Sequence, residues 1–139
     1  MKNLTRFYQI SLMMVSIIII VASCKKTKDA HVPPDVVFKT GTGYTSADAT
    51  IAKNDSIKVG ITATKTEDDL KSYNVSYAYD GTSTTTTFYN YYLQSSEYNS
   101  YSKDIEIHAR NQTGSEKWVF SIVDKDGNIT QKSITLTVQ

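Results

Sequence analysis

The chain has 139 residues with 15 basic and 14 acidic side chains, a formal net charge of +1. That balance argues against nucleic-acid binding, which favours a concentrated Lys/Arg face. One cysteine excludes an internal disulfide. Ten tyrosines, many threonines and only two prolines suit pleated strands better than helices.

The first element is a leader. Lys2 and Arg6 precede an apolar run over residues 10–20, followed by Val21-Ala22-Ser23-Cys24. A charged start, an apolar middle and small residues before a cleavage point are the layout of a secretory signal. The stretch 7–22 is interrupted by Tyr8, Gln9, Ser11 and Ser16 and falls short of the roughly 20 apolar residues a spanning helix needs. Val-Ala-Ser-Cys resembles the lipobox of bacterial lipoproteins. That resemblance implies removal of residues 1–23 and a diacylglycerol on the Cys24 sulfur. Residues 24–35 then read as a lipidated cysteine and tether, polar and ending in Pro33-Pro34. His31 falls in this tether as a solvated side chain.

Residues 36–139 read as one domain of short alternating strands. Val36-Val37-Phe38 is a first strand, and 49–52 a weak second. From Ser56 to Lys65, Ile57, Val59, Ile61 and Ala63 alternate with Lys58, Gly60, Thr62 and Thr64, the pattern of a strand with one buried face. Residues 66–71 read as a charged connection with one helical turn. Tyr73, Val75, Tyr77 and Tyr79 mark the next strand, and Asp80-Gly81 its turn. A Thr- and Tyr-rich strand covers 84–93, and 94–102 reads as irregular. Ile105 and Ile107, then Trp118, Phe120 and Ile122, then Ile134, Leu136 and Val138 define the last strands. The expected core is Ile57, Val59, Ile61, Ile105, Ile107, Trp118, Phe120, Ile122, Leu136 and Val138, with Trp118 at its centre.

About seven or eight antiparallel strands separated by turns predict an all-β, immunoglobulin-like sandwich preceded by a signal peptide and tether. Residues 118–128 with 133–138, and residues 52–63, resemble the strands of bacterial Ig-like and PKD-like extracellular domains. The body as a whole resembles small Ig-like lipoproteins of Bacteroidetes type. Such a resemblance implies spacers, adhesins or glycan-binding modules, and the fold alone does not choose among them. Asp55-Ser56-Ile57 also resembles that phylum's O-glycosylation sequon, which implies Ser56 as acceptor. Lys25, Lys26 and Lys28 stand where surface-exported members carry acids, which implies a periplasm-facing place on the outer membrane.

Three groups could carry chemistry. Asp124, Asp126 and Asn128 have the one-three-five spacing of calcium ligands, but a calcium loop also needs a glycine and a distal glutamate that are missing here. Asp126-Gly127 between strands reads as a hairpin turn. Tyr89, Tyr91, Tyr98 and Tyr101 are the candidate ligand-binding aromatics, since tyrosine offers an apolar face with a hydroxyl. Glu67, Asp68 and Asp69 read as solvated acids. His108 reads as an outward strand residue without a serine motif beside it. No cofactor and no enzymatic activity is expected.

The expected function is a lipid-anchored, non-catalytic binding or scaffolding module of the cell envelope. Its partners are the membrane, through the lipid, and an envelope protein or, alternatively, a polysaccharide at the tyrosine-rich patch. The weak strand at 49–52 or the strand at 84–93 is the expected open edge for strand addition.

Overall fold

Strands form wherever an apolar set recurs at every second residue. A computed structural model describes residues 31–139; the expected signal peptide and Cys24 lie outside the described residues. The strands are β1 (Asp35–Phe38), β2 (Ala49–Ile51), β3 (Ser56–Thr64), β4 (Leu70–Tyr79), β5 (Thr86–Tyr92), β6 (Ser100–His108), β7 (Gly114–Asp124) and β8 (Ile129–Val138). They build one sheet in the order β1-β3-β6 and a second in the order β2-β8-β7-β4-β5. All pairs are antiparallel except β2 with β8, which is parallel. The first two strands thus divide between the sheets, and β4, β7 and β8 sit together. That is the arrangement of an immunoglobulin-like β-sandwich.

The parallel pair departs from the all-antiparallel expectation, and the chain between β1 and β2 explains it. Gly41 (φ +107°) and Gly43 (φ +87°) take the left-handed region that side chains disfavour. They let residues 39–48 cross from one sheet to the other. Asp48 Oδ1 then accepts the Thr135 N–H at 2.7 Å, which docks the start of β2 beside β8.

The core lies between the sheets. Nine of the ten expected core residues are buried, while Ile57 is only partly so. Tyr73, Phe120, Ile61 and Ile122 are fully enclosed, and the three apolar side chains among them each contribute about 1.5–3 kcal/mol by leaving water. Phe120 meets Phe38 of the facing sheet edge to face at 5.4 Å, a favoured aromatic geometry. Trp118, buried in the same cluster, meets half-exposed Phe88 edge to face at 5.2 Å.

Three local expectations are corrected. Residues 66–68 form bends with no helical turn, and β4 already begins at Leu70. The one short helical turn among the described residues is Ser95–Glu97, where the Gln94 N–H donates to Glu97 Oε2 at 2.8 Å. The rest of the stretch read as irregular is strand from Ser100 onward, because β6 pairs with β3 along its whole length. Order also reaches back before residue 36. Thr66 Oγ1 donates to the carbonyls of Val32 and Pro33, and Thr130 Oγ1 to that of Pro34. These bonds make the end of the expected tether part of the body.

Candidate functional site

Both sheets end on the same side of the sandwich. β5 closes the larger sheet and β6 the smaller, and Tyr101 of β6 reaches Tyr73 at 5.5 Å and Tyr91 at 5.8 Å. The gap between these two free edges is filled by rings. Tyr89 stacks with Tyr91 at 6.4 Å and meets Tyr73 at 5.9 Å. Lys103 Nζ lies 5.4 Å from the centre of the Tyr89 ring, and Lys125 Nζ 3.7 Å from that of Tyr98, within cation–π range.

The register explains where the four candidate tyrosines go. Tyr91 opposes Tyr73 and Tyr89 opposes Val75, both inward residues of β4. Tyr101 is therefore core, only 6% exposed, and Tyr89, Tyr91 and Tyr98 are half-buried against it. The structure brings all four together, but in the gap between the sheets and not on a face. A register shift between Val75 and Ser76 leaves Phe88 unpaired as a bulge. Phe88 and Tyr92 consequently do not share a simple alternation. Tyr92 is the outward ring of this strand, 66% exposed.

Burial raises the Tyr73 and Tyr101 hydroxyls above the ordinary tyrosine range. The hydrogen bond that Tyr91 donates to Glu97, 3.1 Å, raises Tyr91 as well. Asp69 is held below the usual carboxylate range by Lys125 and Lys65, at 2.9 and 3.0 Å. The three acids at 67–69 are thus not alike: Asp69 is bridged by two lysines, and Asp68 Oδ2 is buried without a hydrogen-bond partner.

Asp124, Asp126 and Asn128 sit in the β7–β8 turn. Asp124 is 1% exposed, and both its oxygens accept from Asn128, Oδ1 from the backbone N–H at 2.8 Å and Oδ2 from Nδ2 at 2.9 Å. Asp126 lies at the exposed tip. Among the described residues no His/Cys/Asp/Glu group is arranged to hold a metal.

Ser56 opens β3, exposed, and pairs with His108 across the sheet. Its Oγ is 2.6 Å from His108 Nδ1. Sequence reading missed this pair because the partners are 52 residues apart and only the register joins them. Among the described residues no carboxylate orients the imidazole from its other side, as a nucleophilic triad requires. A shallow open depression of about 230 Å³ beside β2 and β8, lined by Asp48, Ala49, Thr50, Thr135 and Thr137, is smaller than a typical small-molecule pocket of roughly 300–1,000 Å³.

The outward face of the larger sheet also escaped sequence reading. The register sets Asn90, Asn74, Ser121 and Gln131 in one row across β5, β4, β7 and β8. The row on one side begins at Tyr92 and runs through Ser72 and Val123 to Ile129. The row on the other begins at Thr87 and runs through Ser76 and Val119 to Ser133. None of these side chains is charged. The smaller sheet differs, carrying Lys58, Asp104, Glu106 and His108 outward.

No family model matches the chain, and no curated protein does either. Among solved structures, the chain is similar to one from the complex of Zinc 2-glycoprotein and Prolactin inducible protein from human seminal plasma. The identity is 11% and the TM-score 0.46, over 84% of this chain and 100% of that one. It is similar to murine CRIg at 12% identity and TM-score 0.41, over 78% of this chain and 99% of that one. A β-glucosidase involved in saponin metabolism from intestinal bacteria aligns at 12% identity and TM-score 0.44, over 75% of this chain but 16% of its own length. These are distant likenesses, and the assignment of fold rests on the strand order.

Proposed function

We propose that this chain is a non-catalytic binding domain of the bacterial cell envelope, anchored through lipid on Cys24 and facing the periplasm from the outer membrane. It takes a protein partner by strand addition along β5. The observation that supports this reading is the coincidence of two free strand edges on one side of the sandwich. β5 reads Thr-Thr-Phe-Tyr-Asn-Tyr-Tyr, without charge or proline, two of the devices that defend an edge; the bulge at Phe88 is the one it carries. β6 is better defended, because Lys103 lies over the Tyr89 ring in the gap. A partner strand on β5 would use main-chain hydrogen bonds for affinity, and the half-buried tyrosines beside it would offer amphipathic contact area.

The test is site-specific photo-crosslinking in native membranes. A photoreactive phenylalanine analogue at Phe88 is expected to trap an envelope protein. The same analogue at Val37, on the edge strand β1 of the other sheet, is expected to trap none. Adducts from Val37 alone, or from neither site, would sink the β5 reading. A Cys24→Ser chain is expected to leave the membrane fraction; its retention there would remove the anchor.

A further inference from the structure

We infer that the outward face of the five-stranded sheet binds a neutral polysaccharide chain along the row Asn90–Asn74–Ser121–Gln131. This goes beyond the protein-partner reading and stands without it, because it uses side chains of the face and not the backbone edge of β5.

The argument begins with register. Four consecutive strands place an amide or hydroxyl at the same level. With strands about 4.8 Å apart, the row extends over roughly 14 Å. Each amide presents donors and an acceptor together, and each hydroxyl does both. Sugar hydroxyls have the same dual character, so a row of this kind meets a run of sugar units without demanding one fixed polarity at each point. Gln131 Nε2 donates to Ser121 Oγ at 3.0 Å, which orients that end of the row. Asn74 is half-buried at the centre of the sheet and Asn90 is exposed. Neither amide is engaged by another described residue, so both remain available to a ligand.

Charge selects the class of ligand. The row and its two flanking rows carry no carboxylate, Lys, Arg or His, so an anionic polymer would find no cation there to neutralise it. A protein interface of this size would centre on buried aromatic or Arg anchors, and here small polar groups hold the centre. The one large aromatic is at the margin. Tyr92 lies two residues from Asn90 on the same strand face, 66% exposed, and gives a sugar ring an apolar surface with a hydroxyl at its tip. Tyr89, Tyr91 and Tyr98 are half-buried in the gap between the sheets, and Tyr92 is the ring of this strand turned outward.

The experiment uses the full-length protein in detergent micelles, with binding to soluble dextran, mannan, laminarin and xyloglucan measured by calorimetry and polygalacturonate as the acidic comparison. At least one neutral polymer is expected to bind, and polygalacturonate to bind more weakly. Asn74→Ala and Asn90→Ala are each expected to weaken binding about tenfold, the effect of one lost hydrogen bond, and Tyr92→Ala by at least as much. Thermal melts check each variant. If Asn74→Ala does not fold, the exposed Asn90→Ala and Tyr92→Ala decide. No binding across the neutral panel, unchanged binding in the Asn90 and Tyr92 variants, or preference for polygalacturonate would each overturn the inference. Crosslinking from Phe88 is expected to survive Asn90→Ala, so failure of the glycan face and failure of the β5 edge give different results.

Discussion

Tyr44 lies over Gly60. A methyl group added at Gly60 would stand 2.8 Å from Tyr44 Cε1, and also 2.6 Å from Lys39 Cδ and 2.7 Å from Asp104 Oδ1. Glycine in mid-strand ordinarily weakens a sheet. Here the crossing loop covers it with a ring, whose hydroxyl donates to Asp104 Oδ2 at 2.8 Å while Lys39 holds Oδ1 at 2.7 Å. Those two partners keep the Asp104 carboxyl below its ordinary range, and the bond to Asp104 raises the Tyr44 hydroxyl.

Gly60→Ala is therefore expected to destabilise the domain by about 1–3 kcal/mol, the usual cost of overpacking. The side chains above it can shift, but only by breaking the Lys39–Asp104–Tyr44 contacts. Tyr44→Phe keeps the ring and loses one bond, so about 1 kcal/mol is expected. Urea denaturation of both variants checks the order. A Gly60→Ala chain as stable as the parent would show that Tyr44 does not press on the strand.

Glu116 is fully buried near the start of β7. It accepts from the Arg110 backbone N–H at 3.0 Å and from Trp118 Nε1 at 3.2 Å, while the Arg110 guanidinium pairs with Asp80. Glu116→Ala would strand two buried donors and unbalance a nearly buried arginine, a loss of about 3–5 kcal/mol. Glu116→Gln keeps one acceptor and should fall between. Trp118 is the single tryptophan, so its fluorescence reports the site directly; an unshifted emission maximum in folded Glu116→Ala would contradict the contact.

Alkali gives a pH test with a definite sign. Tyr73 and Tyr101 are raised by burial, so between the unfolded value of about 10 and the folded values the native state holds more protons. Their contribution is full below pH 10 and is lost as pH rises above it. A spectrophotometric tyrosinate titration should show a last fraction, Tyr73 and Tyr101, appearing only as the fold opens. Ionisation of Tyr73 and Tyr101 before unfolding would refute the buried ladder.

At the β7–β8 turn, Asp124→Ala removes both bonds from Asn128. A loss of about 1–3 kcal/mol is expected. Because both carboxylate oxygens are already accepting, added calcium should leave the melting temperature of the parent unchanged. A calcium-dependent rise would restore Asp124, Asp126 and Asn128 as ligands.

Much of the sandwich was legible because its buried residues alternate cleanly. β3, the middle of β7 and the last half of β8 keep apolar residues on one face, and Asp80-Gly81 and Asp126-Gly127 mark turns after strands. The start of β6 was not legible. Its inward residues there are Tyr101 and Lys103, which do not stand out as an apolar set, although pairing with β3 buries the tyrosine. The candidate surfaces were less legible still. A bulge at Phe88 leaves no mark in a run of threonines and aromatics, yet it decides which rings turn outward. The row from Asn90 to Gln131 joins four segments whose alignment is a property of register alone, and single residues such as Asn74 carry no signal of it.

The parallel pairing of β2 with β8 bears on when the domain can fold. Asp48 and Thr135, the contact that seats β2, are 87 residues apart. The smaller sheet has all its strands once His108 has been made, but the larger one waits for Ile129–Val138. Contacts that close so long a loop form late. A nascent chain cannot bury Ile134, Leu136 or the far side of β7 until β8 has emerged, so the larger sheet stays incomplete until then. If residues 1–23 act as the proposed leader, that delay favours the incompletely folded state a translocation channel can accept.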